Sequence, residues 1–497
     1  MIARNCNSLM LFLVLLLAGV STAQVGLSTF EGLDASALGT KAQLDVDPNG
    51  AIGTKQYMEW VNPVYQAYDK TTFKPIYSSW QPGDTPFRNN NMSTCYGTNG
   101  DGVVMFDHLA SRWILAKRQG TGNYYYCIAI SNTDDLTAPG FAWYAYNLYL
   151  NPVLGTNPQG KTYFPDYPKI ATWTDAYYVT IDLEDLSQNY LEVGTLVCAF
   201  DRASMLNGSS ARPPQCFRYP SAPSGLFLGH SLLAADVDGV TPPPAGTDEY
   251  LVSIQNPSGN SNFSNQINLW QFHVDWNNPA NSNLSGPTPL SVATYTPGCY
   301  RAANPAATAC VPEPTTASTH NYIDSVGDRL MHRFSFRQYT GTNPFSSYVF
   351  AHSVQVGANG GRQTGIRWYQ FQPGSGITKY GTINPGAGNY RFMPSVAQDN
   401  AGNLAVGYST SSGQNHPSIK ASYLNLINNT LPTEFNITLG TADEEYSNHW
   451  GDYTSMTVDP VDDCTFWYVN EYYTTNQTTS TPTWQTRIAN FHVSNCN

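Results

Sequence analysis

Three aspartates at comparable places in the chain are candidates for acid–base chemistry. Asp101 follows a glycine-containing loop, Asp166 lies in the segment FPDYPK, and Asp452 lies in the segment HWGDY. Hydrolysis of a glycosidic bond needs two carboxyl groups flanking that bond, one of them protonated so that it acts as the acid. Any two of the three could form this pair. The alternative is a structural role, in which each aspartate caps backbone amides or pairs with an arginine.

Other polar and aromatic residues lie near the same places, at the starts of short apolar segments. Carboxylates bind hydroxyl groups and aromatic rings stack on sugar rings, so this mixture suits a carbohydrate ligand. The candidate ligand-binding residues are Tyr167, Lys169, Asp324, Arg329, Tyr390, Arg391, His449 and Trp450. A sialidase would also need a cluster of three arginines, and the sequence does not place three arginines at equivalent positions.

The segment AADVDGVTPPPAGTDEYLV offers a candidate cation site. Asp236, Asp238 and Asp248 would supply the oxygen ligands that calcium, a hard cation, prefers. A proline-rich insert interrupts the Asp-x-Asp-Gly…Asp spacing, so a capped turn is the alternative prediction. Calcium is the one cofactor that the sequence suggests, because no Walker or dinucleotide glycine motif stands in a strand–helix setting.

The composition indicates an all-β protein that does not bind nucleic acid. The chain has 497 residues, of which 12% are charged and 13% aromatic, with 33 tyrosines, 40 glycines and 33 prolines. So many aromatic residues and so little charge exclude a disordered chain, and long helices would need more Ala, Glu, Lys and Leu. The formal net charge of −12 repels phosphates, which excludes nucleic acid as a partner.

A repeated unit runs through the chain without a linker. Each copy begins with a polar, Asp-bearing loop, passes into an apolar run and a short turn, and continues into a strand rich in aromatic residues. The copies begin near residues 45, 100, 164, 230, 322, 390 and 449. Each copy has room for about four short strands, so the sequence predicts a single seven-bladed β-propeller over residues 24–497. A pair of β-sandwiches is the alternative.

The first 23 residues have the pattern of a secretory signal peptide. Arg4 gives a positive start, and Leu9–Val20 is an apolar run too short to span a bilayer comfortably. Small residues at Ser21–Ala23 then match the positions that a signal peptidase reads. We therefore predict cleavage after Ala23 and a secreted mature protein with no membrane span. An uncleaved anchor is the alternative.

The mature sequence suggests two covalent modifications, disulfides and N-glycosylation. Cys6 is removed with the signal peptide and leaves an even number of cysteines, which suggests disulfides in an exported protein. The alternative, a zinc site, lacks any C-x-x-C or Cys/His cluster. From their spacing, the predicted pairs are Cys95–Cys127, Cys198–Cys216, Cys299–Cys310 and Cys464–Cys496. Sequons that permit glycosylation occur at Asn91, Asn207, Asn262, Asn283, Asn428, Asn436 and Asn476.

Four segments of the chain resemble a known family. The segments DPNGAIG, FPDYPK, SVGDRLMHRFSFR and WGDYTSMTVDPVDDCTFWYVNEYY look like those of a widespread family of secreted, seven-bladed, sialidase-like propeller proteins. The resemblance extends from about Asp45 to Cys496, and the last segment is the most specific. It implies a propeller fold and an extracellular location. The family has no established activity, so the resemblance implies no catalytic residues.

Three functions are compatible with these patterns. The first is binding of glycans or other extracellular ligands at the mouth of the propeller channel, where the loops that enter the inner strands meet. The second is a secreted carbohydrate-active enzyme, a glycoside hydrolase or polysaccharide lyase that uses carboxylates at the channel mouth. The third is a scaffold for protein partners, which would show an exposed apolar patch on one rim. In each case we expect a monomer whose partner is an extracellular glycan or glycoprotein.

Overall fold

The computed structural model describes residues 25–97, 101–220, 229–254, 265–301, 309–314, 322–357, 361–384, 386 and 388–496. The predicted signal peptide, residues 1–23, lies outside the described residues, as do Gly100, where the second repeat was expected to begin, and the sequon at Asn262. The other six sequon asparagines are exposed. No helix in the described ranges is long and apolar enough to cross a membrane.

The described chain is all-β, and most of it forms consecutive four-stranded antiparallel sheets. It begins with β1 (Val25–Asp34), which belongs to the last sheet. The first complete sheet contains β2 (Asn49–Ile52), β3 (Gln56–Val61), β4 (Val64–Asp69) and β5 (Gln81–Pro82). The second contains β6 (Gly102–Asp107), β7 (Arg112–Gln119), β8 (Tyr125–Ser131) and β9 (Trp143–Tyr149). The third contains β10 (Phe164–Thr172), β11 (Tyr177–Asp185), β12 (Leu191–Phe200) and β13 (Gln215–Pro220).

The middle of the chain forms one eight-stranded sheet from two meanders. The first meander contains β14 (Leu233–Val237), β15 (Glu249–Ser253), β16 (Gln266–His273) and β17 (Asn283–Ser291). A small two-stranded sheet follows, made of β18 (Ala309–Val311) and β19 (Ile323–Asp324). The second meander contains β20 (Met331–Tyr339), β21 (Phe345–Gln355), β22 (Thr364–Gln372) and β23 (Gly376–Ile383). Parallel pairing of β14 with β20 joins the two meanders.

The remaining strands form two further sheets, and helices are few and short. One sheet contains β24 (Asn389–Gln398), β25 (Asn403–Ser412), β26 (Ser418–Asn425) and β27 (Thr433–Thr438). The last contains β28 (Ser455–Val458), β29 (Thr465–Tyr473), β30 (Trp484–Val493) and β1. The α-helices in the described ranges are α1 (Ala35–Leu38), α2 (Thr85–Asn89), α3 (Asn151–Leu154) and α4 (Arg202–Leu206). Short 3₁₀ helices are Gly39–Lys41, Ser93–Cys95, Leu186–Gln188 and Pro279–Asn281.

The first strands of the sheets form a closed ring. Contacts run in order through β2, β6, β10, β14, β20, β24 and β28, and β28 contacts β2 again. The other strands of each sheet extend outward from this ring, which is the radial arrangement of a β-propeller. The ring places the segments that precede β6 and β28, together with the start of β10, around its centre.

The hydrophobic core lies between neighbouring sheets. Tyr57 of the first sheet stacks on Trp467 of the last, with ring centroids 5.4 Å apart. Trp173, just after β10, packs edge-on against Phe336 of β20 at 4.9 Å. The inner strand β6 is buried along its whole length, because each sheet is covered on both faces by its neighbours. This two-sided burial is why the inner strands are largely apolar, whereas outermost strands such as β17 are polar and mostly exposed.

All four predicted disulfides are confirmed. The structure contains Cys95–Cys127, Cys198–Cys216, Cys299–Cys310 and Cys464–Cys496. The second of these joins directly opposite residues of β12 and β13, and the fourth ties the loop before β29 to the end of the chain. Cross-links of this kind are typical of proteins that fold in an oxidising compartment.

Candidate functional site

The three candidate aspartates are held by irregular backbone at the ring. Asp101 directly precedes β6 and has a left-handed backbone, with φ of 44°. Asp166 lies in β10, where the register with β11 shifts between Asp166 and Lys169 and Tyr167 has φ of 50°. Asp452 lies just before β28. A break in a strand re-aims the side chains around it, so these residues can face the mouth of the ring rather than a sheet face.

The carboxyl groups of Asp101, Asp166 and Asp452 lie within electrostatic reach of one another. Burial, followed by the negative charge of Asp166, raises the pKa of Asp101 to about 7. Burial and the charge of Asp452 also raise the pKa of Asp166, whose carboxyl group hydrogen-bonds to that of Asp101. One proton shared by this pair near neutral pH is the expected state of two adjacent carboxyl groups. The side chains of Asp101 and Asp452 are 17% and 27% exposed, so solvent reaches both.

Asp47 and His449 extend the cluster on the side of Asp452. Asp47 is buried and accepts a hydrogen bond of 2.6 Å from the backbone N–H of Asp452. Burial and repulsion from Asp452 raise the pKa of Asp47 well above its usual value. Nε2 of His449 lies 3.6 Å from Asp45 and 3.9 Å from Asp452. Burial opposes a charge on His449, but Asp452 and Asp45 outweigh it and raise the histidine pKa to about 9.

Lys169 lies at the centre of the aromatic part of the cluster. Its Nζ is 2.9 Å from the ring centroid of Tyr167 and 3.8 Å from that of Tyr453. The amino group is buried and has no hydrogen-bond partner in the described part of the chain. Burial lowers the pKa of Lys169 to about 7, although Asp452 and Asp182 favour its charged form. The two tyrosines are anchored in turn, since Tyr167 donates to the carbonyl of Asp452 at 3.2 Å and Tyr453 to that of Pro168 at 2.9 Å.

Two arginines reach the cluster, and each faces a carboxylate. Nε of Arg118 lies 3.9 Å from Oδ2 of Asp101. Nε of Arg329 donates to Asp328 at 3.0 Å, and its guanidinium lies 4.7 Å from the ring centroid of Tyr167. Both guanidinium groups therefore neutralise the protein's own acids, unlike an arginine cluster arranged for a substrate carboxylate.

A second cluster of acidic residues, around His230, lies beyond Arg329. Nδ1 of His230 lies 2.5 Å from Glu192, and its Nε2 lies 3.5 Å from Asp328. Asp182 accepts a hydrogen bond of 3.1 Å from the backbone N–H of Ser231. Burial and the charge of Asp166 raise the pKa of Glu184 to about 8. Within the described residues, the donor atoms close enough to hold a metal ion are those of Asp47, His449 and Asp452, and those of Asp182, Glu192 and His230.

Four of the predicted ligand-binding residues join the aspartates, and four lie elsewhere. Tyr167, Lys169, Arg329 and His449 belong to the cluster described above. Trp450 is buried, donates from Nε1 to Ser409 at 3.1 Å and packs against Phe392, so it is a core residue.

The other three predicted ligand-binding residues also have structural partners away from the cluster. Arg391 forms an ion pair with Glu434 of the outermost strand β27. Asp324 lies in β19 and accepts a hydrogen bond from the backbone N–H of Val326 at 2.8 Å. Tyr390 packs at the edge of a core cluster that contains Phe392.

The predicted calcium ligands face protein cations. Asp236 and Asp238 both pair with Arg333, at 2.8 Å for the Asp238 contact, and all three side chains are buried. Asp248 lies apart from them and pairs with His273 at 2.8 Å. A cation at Asp236 and Asp238 would have to displace a guanidinium that already neutralises both carboxylates.

Sequence reasoning missed Asp47, Arg118, Tyr453 and the second acidic group. Asp47 could have been predicted, because it lies just before the first inner strand, β2, as Asp101 lies just before the second, β6. Arg118 had none, since it reaches the mouth from the far end of β7, the second strand of its sheet. Tyr453 directly follows Asp452, and the sequence alone does not show that both side chains contact the cluster.

Comparison with known proteins gives distant structural likenesses only. No protein-family model matches the sequence, and the curated proteins include no similar sequence. A protein of unknown function from Dyadobacter fermentans shows 10% identity, with 94% of this chain and 99% of that chain covered and a TM-score of 0.40. An α-L-arabinanase from Penicillium chrysogenum shows 8% identity, 93% and 98% coverage and a TM-score of 0.36. A subtype N10 neuraminidase-like protein of A/little yellow-shouldered bat/Guatemala/060/2010 shows 7% identity, 77% and 95% coverage and a TM-score of 0.35. Likenesses this weak establish no shared activity.

Proposed function

We propose that the protein is a secreted, seven-bladed β-propeller that binds a glycan at the mouth of its central ring and cleaves it by acid–base catalysis. Counting the two meanders of the eight-stranded sheet separately gives a four-stranded blade for each strand of the ring. The disulfides support an extracellular location. The observation that carries the activity is the contact between Asp101 and Asp166, which holds a proton near neutral pH beside a further carboxylate, Asp452.

The three aspartates have different roles in this proposal. Asp101, whose pKa is raised to about 7 by burial and by Asp166, is the acid that protonates the leaving oxygen. Asp166 keeps that proton on Asp101 through their hydrogen bond and acts as a positioning residue. Asp452, whose side chain is 27% exposed against 17% for Asp101, acts as the base or nucleophile.

Glycan binding without cleavage is the second candidate function. Lys169 favours it, because its buried amino group is packed between the rings of Tyr167 and Tyr453 and is therefore held in place. A rigid mouth of this kind, lined by carboxyl groups and tyrosines, would bind sugar hydroxyls without transferring protons. The two functions make the same prediction for binding and opposite predictions for turnover.

The test is cleavage by the purified mature chain on a panel of neutral and acidic polysaccharides. We expect release of new reducing ends by the wild type, and loss of about 100-fold or more in the Asp101→Asn variant with binding retained. Asp275→Asn is the matched control, because Asp275 caps a turn between β16 and β17, far along the sheet from the ring. Binding without turnover on every polysaccharide would leave the second candidate, and neither binding nor turnover would refute both.

A further inference from the structure

The hairpin that joins β11 to β12 carries a cluster of exposed apolar side chains. Leu186, Tyr190 and Leu191 are 46%, 63% and 50% exposed. Tyr190 is the most exposed aromatic residue in the described part of the chain, and its ring stacks on no aromatic or cationic side chain there. Single apolar residues on a surface are ordinary, but three together on one turn indicate a contact surface.

This hairpin lies on the same face of the ring as the mouth. Asp166 of β10 is opposite Asp182 of β11, and Asp185, at the end of β11, is opposite Leu191 of β12. Three residues of strand and two strand spacings separate these positions, so Tyr190 lies about 15 Å from Asp166. A ligand bound at the mouth therefore reaches the hairpin only if it is an extended chain.

Glu184 lies on the surface between the mouth and the hairpin. It is directly opposite Glu192 in the pairing of β11 with β12, and its carboxyl group is within electrostatic reach of Asp166. The side chain is half-buried, and it forms no ion pair with another described residue. Burial is the first cause that raises its pKa to about 8, so at neutral pH the carboxyl group is protonated and can both donate to and accept from a hydroxyl group.

The backbone of the hairpin is fixed by its own contacts. Oδ1 of Asp185 accepts hydrogen bonds from the backbone N–H of Ser187 and from Nδ2 of Asn157, both at 3.0 Å. Asn189 and Tyr190 both have a left-handed backbone, with φ of 57° and 59°, which is uncommon for residues other than glycine. A tyrosine presented on a fixed turn loses little freedom when a ligand stacks on it.

We propose that Tyr190 is a distal binding subsite for a glycan chain that also occupies the mouth. The inference rests on the proposed function and names its substrate class, which is an oligosaccharide or polysaccharide long enough to extend from Asp166 to Tyr190 rather than a single terminal sugar. Tyr190 would stack on the face of a sugar ring, and Glu184 would bind hydroxyl groups of the part in between. A glycan fits better than an apolar partner, because the surface that leads from the mouth to Tyr190 carries carboxyl groups.

The experiment compares long and short oligosaccharides in their binding to the mature Asp101→Asn chain, measured by calorimetry. The probes are the cello-, xylo-, arabino- and mannohexaoses and hexagalacturonate, each with the disaccharide of the same sugar. We expect at least one hexamer to bind more tightly than its disaccharide. A further Tyr190→Ala change should weaken binding of that hexamer by about tenfold and leave the disaccharide unchanged, as loss of one aromatic stacking contact predicts. Tyr190→Phe keeps the ring and should retain binding of the hexamer.

Tyr149→Ala is the matched control, because Tyr149 is 42% exposed on β9, the outermost strand of another sheet. It should leave the binding of both lengths unchanged, and thermal melting would confirm that each variant folds. Hydrogen exchange should show protection of residues 185–192 on addition of the hexamer, and no such protection on addition of the disaccharide.

Any of four results would overturn the subsite. They are no binding by any hexamer, equal affinity for hexamer and disaccharide, hexamer binding that survives Tyr190→Ala, and an equal loss for both lengths in that variant. Recruitment to phosphatidylcholine vesicles that depends on Tyr190, with no effect on sugars, would make the hairpin a lipid contact instead. If hexamer binding depends on Tyr190 while the wild type cleaves no polysaccharide, the proposed cleavage fails and the subsite stands. Cleavage of the hexamer with unchanged kcat/KM in Tyr190→Ala gives the reverse.

Discussion

At the scale of single residues, the mouth combines groups whose charges are held far from their usual state. Asp101 keeps a proton near neutral pH, His449 holds one above it, and the amino group of Lys169 loses part of its charge there. Burial is the first cause for each of the three, and neighbouring carboxylates decide the direction for the histidine. Perturbed titration within one cluster is typical of functional sites, although structural ion pairs also produce it.

Asp101 should reduce the stability of the folded protein at alkaline pH. Burial raises the pKa of Asp101 to about 7 in the folded protein, against about 3.8 in the unfolded chain. Below pH 3.8 the carboxyl group is protonated in both states and costs no stability. As the pH rises from 3.8 through 7, the folded protein becomes progressively less stable, because ionisation of Asp101 is easier in the unfolded chain. We expect Asp101→Asn to raise the Tm at about pH 8 and to leave it nearly unchanged at about pH 4. Calorimetry at the two pH values tests this, with Asp275→Asn as control. An equal effect at both would contradict the assignment.

Lys169 should lower the pKa of Asp101 by a small amount. Its partial positive charge lowers the pKa of Asp101, against the larger effect of burial. Replacement of Lys169 by Met should therefore raise the pKa of Asp101 further, which a carbon-detected NMR titration of the aspartate carboxyl groups would show. Lys117→Met is the control, since Lys117 is another buried lysine, in β7, whose amino group bonds to Gly97 and Gln119. An unshifted Asp101 titration would show that Lys169 does not act on it.

The sequence predicts which loops carry the candidate residues, but not where each side chain points. In HWGDY, His449 and Asp452 face the mouth whereas Trp450 turns into the core beside Phe392. Both outcomes are compatible with the same loop, because the direction depends on the turn and on tertiary packing. Arg391 likewise begins an inner strand, yet it reaches across its own sheet to Glu434.

At the scale of elements, Arg333 joins two sheets through their inner strands. It lies in β20, and its guanidinium pairs with Asp236 and Asp238 at the β14–β20 contact and donates to the carbonyl of Met456 at 3.0 Å. All three charged side chains are buried. Removal of the arginine would leave two buried carboxylates without their shared cation.

We expect Arg333→Met to lower the free energy of unfolding by about 3–5 kcal/mol. The matched control is Arg88→Met, because Arg88 is 56% exposed in its pair with Asp84 and should cost less than about 1 kcal/mol. Urea unfolding measures both. Adding Asp236→Asn and Asp238→Asn to Arg333→Met should restore part of the loss, and equal costs for the two arginines would contradict the buried pairing.

The repeat in the sequence predicts the sheets better than it predicts their connections. Turn residues and aromatic strands recur locally, so units of about four strands can be read along the chain. The pairing of β1 with β30 and the parallel contact of β14 with β20 join distant parts of the chain. Local patterns contain no information on such contacts. The disulfides were predictable because each joins neighbouring cysteines along the chain.

At the scale of the whole molecule, folding should take up protons between about pH 8.5 and 6.5. Burial is the first cause of the raised carboxyl pKa values, which are about 7 for Glu59, about 7 for Asp101, about 8 for Glu184, about 9 for Glu313 and about 7 for Glu444. Against burial, neighbouring carboxylates raise the histidine pKa values, to about 10 for His230 and about 9 for His449. Burial lowers the lysine pKa values, to about 8 for Lys117 and about 7 for Lys169.

Among these groups, those whose pKa is raised outnumber those whose pKa is lowered, and this decides how the stability of the folded protein changes with pH. A raised pKa gives stability that is lost as the pH rises through the folded value, whereas the two lysines act in the opposite sense. We therefore expect the Tm to rise when the pH falls from about 8.5 to 6.5. Scanning calorimetry in buffers of constant ionic strength measures it. A Tm that falls over this interval would show that the buried carboxyl groups are ionised in the folded protein.

The sheet built from β28, β29, β30 and β1 has a consequence for how the protein is made. Val25 pairs with Val493, so a strand near the start of the polypeptide takes its place beside one near its end. Until β30 has been synthesised, β1 has no partner strand and the last sheet is incomplete. A chain that lacks β28, β29 and β30 also leaves Tyr57 of the first sheet without the ring of Trp467, so this apolar surface and the edge of β1 need protection from aggregation.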